Sequence, residues 1–142
     1  MDGKQASEFL GITYADFIYL HKRVNGLIGS KYGESRGRAL ELTHHDLARL
    51  KLAVMLRDDG YQTPTIQQAI DELNNSWNGD DPANAGILLS VGKNKFRWVT
   101  DTDLVISDGK NATSIATFPY ISKFIYNIRK VAYELYEIDL DR

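Results

Sequence analysis

Apolar residues recur at three- and four-residue steps through the first 77 positions and at two-residue steps after position 86. The first period belongs to helices that bury one face, the second to strands of a half-covered sheet. Residues 5–10 read as a short helix with Ala6, Phe9 and Leu10 on one face, ended by Gly11. Thr13 is placed to cap a second helix, and Asp16 three residues later closes a capping box. That helix turns Phe17, Leu20 and Val24 inward and leaves Ala15, Ile18, Tyr19, Lys22 and Arg23 on its opposite face. Thr43 caps a third helix with Asp46 at the capping-box position. Its stripe of Leu47, Leu50, Ala53, Val54 and Arg57 is widened by Leu52, Met55 and Leu56, which makes it central to the core, and Gly60 stops it. A fourth helix starts at Thr63-Pro64, buries Ile66, Ala69, Ile70 and Leu73, and ends at Trp77.

Between the second and third helices, residues 26–42 hold four glycines among polar partners, with Leu40-Glu41-Leu42 alternating as a returning strand should. This reads as a hairpin. Residues 78–86 form a linker. Beyond it, 87–91, 96–100, 104–107 and 112–117 read as four short strands of an antiparallel meander, turning at 92–95, 101–103 and 108–111. A long helix over 120–138 closes the chain, with Ile121, Phe124, Ile125, Ile128, Val131, Ala132, Leu135 and Tyr136 in one stripe. That stripe fits two placements, packing on the chain's own sheet or a seam between two copies. The fold class is therefore α+β. Residues 1–77 form a helical unit with a wing, 78–86 a linker, and 87–142 a small sheet with a long helix, serving as a dimerisation or partner domain.

Charge sharpens this division. The net charge is −2, yet residues 1–57 carry nine Lys/Arg against six Asp/Glu, and residues 58–142 carry eight against thirteen. Between Lys22 and Arg38 five bases face one acid, Glu34. A local basic stretch suits phosphate, and glycines let a loop tip approach a nucleic-acid backbone closely; a solvated structural loop is the alternative. There are no cysteines, which excludes disulfides, thiolate metal sites and thiol nucleophiles. No apolar run reaches the roughly 20 residues a bilayer requires, and no signal-peptide pattern opens the chain. A cytoplasmic location without membrane contact is the expectation.

Candidate chemistry is sparse. His44 and His45 are adjacent, so on a helix they diverge by roughly 100° and cannot act as an i,i+4 metal pair. A solvated first turn is expected for both, and His21 is expected to be exposed or to meet phosphate or a base. Asp58-Asp59 at a helix C-terminus is electrostatically unfavourable; solvated acids are the simplest reading. No Gly-rich phosphate loop follows a strand and no nucleophile motif appears. Neither an enzyme nor a cofactor or metal is expected.

The run Asp46-Leu47-Ala48-Arg49-Leu50, followed by Leu56-Arg57-x-x-Gly60-Tyr61 and Ile66, resembles the third and fourth helices of MerR-type DNA-binding domains. Gly11-Ile12-Thr13 through Tyr19, then Gly26-Leu27-Ile28, is similar to that family's turn, recognition helix and wing in the same order. The resemblance covers residues 4–75, and the layout beyond it is reminiscent of family members from phages and mobile elements. It implies a winged helix-turn-helix acting as a homodimer on double-stranded DNA. The second helix would enter the major groove through Thr13, Tyr14, Ala15, Ile18, Tyr19, Lys22 and Arg23, and the wing would meet phosphate through Lys31, Arg36 and Arg38. The expected function is sequence-specific transcriptional regulation, with Phe124, Ile128, Val131 and Leu135 as the dimer interface and a protein partner as a further role of the C-terminal half. The alternatives are an architectural or recombination accessory protein, or an interaction module that has lost DNA binding.

Overall fold

Thr43 opens the helix on which everything else packs. In the computed structural model, which describes residues 1–29, 41–79, 81–92, 94–99, 125–138 and 140, α3 spans His44–Asp58. Both halves of its capping box form: the Thr43 hydroxyl accepts from the Asp46 N–H at 3.1 Å, and the Asp46 carboxylate accepts from the Thr43 N–H at 2.9 Å. Leu47, Leu50, Leu52, Ala53 and Leu56 are wholly buried, so α3 is covered on nearly every side. A helix apolar around most of its circumference belongs at the centre of a core.

Before it stand α1 (Gly3–Leu10) and α2 (Tyr14–Arg23), and after it α4 (Thr63–Ser76). α1 starts two residues earlier than its apolar spacing predicts, because Asp2 and Gln5 make a reciprocal capping box. α4 has Pro at its first turn and Trp77 at its C-cap, as expected. A 3-10 turn, Pro82–Asn84, occupies part of the expected linker. Three strands follow: β1 (Ile87–Gly92), β2 (Lys95–Val99) and β3 (Ile125–Asn127). β1 and β2 form the expected hairpin, antiparallel with Leu88 opposite Trp98, and Asn94 takes the left-handed conformation in its turn. The architecture is mixed, with five helices and a three-stranded antiparallel sheet among the described residues.

One expectation is corrected and one strand is added. Among the described residues the sheet order is β2-β1-β3, so β1 pairs with the expected β2 on one edge and with a strand that was not expected, β3, on the other. The closing helix is short: residues 125–127 are a strand, and α5 spans Ile128–Tyr136. Asn127 caps α5 by accepting from the Lys130 N–H at 3.1 Å. Upstream of it Tyr126 pairs with Leu88 and donates its hydroxyl to Asp59 at 2.6 Å. Burial and that carboxylate push the Tyr126 phenol well above its ordinary range. Asp59 thus has a partner inside the chain, which answers the unfavourable acid at the end of α3. The expected strands at 104–107 and 112–117, the hairpin tip at 30–40 and the first turn of the closing helix lie outside the described residues.

A single hydrophobic cluster crosses the 78–86 segment. It contains Ala6, Phe17, Leu50, Ile70 and Trp77 from one side and Leu88, Tyr126, Ile128, Val131, Ala132 and Leu135 from the other. The sheet is also tied to the start of α4: Tyr61, just before that helix, meets Ser90 of β1 at 3.2 Å, and Thr65 of α4 donates to Asn94 in the β1–β2 turn. No helix among the described residues is long and apolar enough to cross a membrane.

Candidate nucleic-acid interface

α1 and α2 are joined by three residues that set their angle. Gly11 closes α1 in the left-handed conformation (φ 72°), its N–H bonding back to Glu8 and Ser7; a residue with a Cβ is strained there. Thr13 then caps α2 by accepting from the Asp16 N–H at 3.0 Å. The Asp16 carboxylate does not complete the expected box. It lies 3.4 Å from Arg57 of α3 and ties the start of α2 to the central helix. Phe17, Leu20 and Val24 are buried, as their spacing predicts. Phe17 packs so closely on α1 that a Cβ at Gly3 would stand 2.8 Å from its ring.

The other face of α2 looks outward. Tyr14 is 42% exposed and Tyr19 51%, Ala15, Lys22 and Arg23 are exposed, and Ile18 is half-buried. At about 100° per residue, Ala15 and Lys22 lie within about 20° of one line, two turns apart, opposite the buried side. Ile18 and Tyr19 flank that line. The aromatics carry cations: the Lys4 ammonium sits 5.8 Å from the Tyr14 ring centroid, and the Arg23 guanidinium 5.4 Å from that of Tyr19. Such pairs at exposed positions hold long side chains near the surface more than they stabilise the fold. The exposed His21 leans on Phe17, ring centroids 6.2 Å apart.

Past Val24 the chain is pinned by polar side chains that the sequence pattern did not single out. Gln67 of α4 brackets Asn25, accepting from its N–H at 2.7 Å and donating to its carbonyl at 2.9 Å. Asn74, two turns along the same helix, donates to the Gly26 carbonyl at 2.9 Å. Gly29 donates its N–H to Asp46 at 2.9 Å. Asp46 in turn pairs with Arg49, and Arg49 donates to Asn74 at 3.2 Å. Asp46 and Arg49 are both buried, so this is an internal ion pair stitching α3, α4 and the root of the expected wing. The signal for it was the polar row Gln67, Asp71, Asn74 beside the apolar stripe of α4. Lys31, Arg36 and Arg38 lie outside the described residues.

The histidines are not the solvated pair expected. His44 stacks on Tyr136 with centroids 4.5 Å apart, its Nε2 3.0 Å from the Ile138 carbonyl. His45 packs edge-on against Trp77 at 5.0 Å. Burial, then the Arg49 charge, lower its pKa from 6.5 to about 4, against an opposing pull from Asp46.

Of the residues expected at a dimer seam, Ile128, Val131 and Leu135 are buried in the chain's own core, where α5 packs along α3. Phe124 lies outside the described residues. Comparisons with family models, with curated proteins and with solved structures find no match to this chain.

Proposed function

We propose that the chain binds double-stranded DNA as a winged helix-turn-helix regulator, with α2 as the helix that enters the major groove. The observation that supports this best is the two-sidedness of α2. Its inner face is fixed by buried Phe17 and Leu20, while its outer face carries Lys22, Arg23, Tyr14 and Tyr19; the side chain of the one acid of the helix, Asp16, is 47% exposed and pairs with Arg57 at 3.4 Å. The major groove, about 12 Å wide, admits a helix presented this way. The wing root, held by Asp46, Arg49, Gln67 and Asn74, starts the basic segment at the end of that same helix. One α2 reads few base pairs, so two copies on a two-fold-related site are expected.

The test is selection of bound fragments from random genomic DNA by the full chain, followed by titrations at increasing salt. Recovery of one sequence at promoters supports regulation; recovery at attachment sites, or repeated along DNA, supports an architectural or recombination accessory role. A chain that retains no DNA at about 50 mM salt is not a DNA-binding protein. A second reading then takes over, favoured by the exposure of Phe9, Tyr14 and Tyr19: aromatic anchors of this kind also serve protein partners.

A further inference from the structure

The outer face of α2 changes chemistry along its length. Lys22 and Arg23 stand at its C-terminal end, whereas exposed Ala15 and half-buried Ile18 stand in its first turns. The N-terminal part of a recognition helix is the part that meets base edges. Neither a methyl nor a branched alkyl group can exchange hydrogen bonds with a base. In the major groove only one base-edge feature complements them, the 5-methyl group of thymine. The short side chain of Ala15 also lets the helix backbone come close. Tyr14 and Tyr19 stand on either side, each beside a cation.

We propose that Ala15 and Ile18 form a thymine-methyl reader, so that the preferred site carries thymine at the one or two positions facing them. Lys22, about 10.5 Å further along the helix axis, contacts a separate base pair or phosphate. The inference rests on the DNA-binding reading above and specifies what that surface selects.

The experiment uses the full chain and the DNA it selects. Each thymine of the selected duplex is replaced in turn by deoxyuridine, which pairs identically and lacks only the 5-methyl group. Affinity is expected to fall about fourfold at one or two adjacent positions, the effect of exposing one buried methyl-sized group, and to stay unchanged elsewhere. Ala15→Gln, at an exposed first-turn site, is expected to abolish sensitivity to deoxyuridine and to move the preference at that position toward adenine. Equal affinity for every deoxyuridine duplex overturns the reader while leaving DNA binding intact. Failure to select any DNA overturns both. The deoxyuridine series uses the wild-type chain, so its outcome does not depend on how the variant folds.

Discussion

His45 sits between Trp77 and Gly79, and Gly79 has room for no side chain: an added Cβ would fall 2.2 Å from the imidazole, and its φ is +82°. A proton on His45 would be held in a half-buried site beside the Arg49 cation. As pH falls, the unfolded chain takes up this proton near 6.5 and the folded chain only near 4. The unfolded state binds more protons across that window, so the stability present above pH 6.5 is lost progressively between 6.5 and 4. The loss is on the order of 2–3 kcal/mol once solvent screening is allowed for. Denaturant titrations at pH 7 and pH 4.5 are expected to show this loss in the wild type and most of it missing in His45→Gln; carboxylates titrate in both and cancel in the difference. A second residue-scale prediction concerns the buried Asp46–Arg49 pair. Asp46→Ala leaves Arg49 buried without its anion and should cost about 3–5 kcal/mol, measured by the shift of the denaturation midpoint. Little of this was legible in the residues themselves. Asp46 read correctly as a cap, but its second oxygen's bond to Gly29 spans a sequence separation of 17, and no local pattern encodes a partner so far away.

At the scale of elements, the N-terminal helices were legible because each carries its own start and stop. Thr13, Thr43 and Thr63-Pro64 open α2, α3 and α4, and Gly11 closes α1. The C-terminal stripe was misread because residues 121–136 satisfy a helical period throughout. Asn127 marks the true start, yet an asparagine inside an apolar stripe is a weak cap signal until Tyr126 is known to pair with β1. This reassignment changes what α5 does. Leu135→Ala is expected to lower stability by about 2–5 kcal/mol through the cavity it leaves, with no change in mass by sedimentation; a drop in mass at unchanged stability would restore the dimer seam. Truncation after Thr117 removes β3 and α5 together and strips the cover from α3. Residues 1–117 are therefore expected to lose cooperative unfolding in calorimetry.

Across the whole molecule the charge is arranged against its own sum. A chain of net charge −2 is repelled by DNA unless its positive residues are gathered on the side that docks. On the proposed DNA-binding reading, the excess of bases in residues 1–57, with Lys22 and Arg23 outward on α2, makes the N-terminal helices the docking side. This arrangement predicts a local electrostatic footprint, read as the slope of log affinity against log salt. Arg36→Ala with Arg38→Ala is expected to weaken binding to selected and random DNA alike and to flatten the slope by about 0.9 for each phosphate the chain no longer neutralises. Lys22→Ala should flatten it too if its ammonium meets phosphate, or lower the preference for the selected sequence if it meets a base. Tyr19→Ala separates the roles further: if the ring touches a base, the change should cost about 1–3 kcal/mol on the selected site and less on random DNA. Equal losses on both make it a positioning residue that seats the helix. A slope unchanged by the double arginine substitution would put the wing away from the backbone and leave α2 as the whole of the interface.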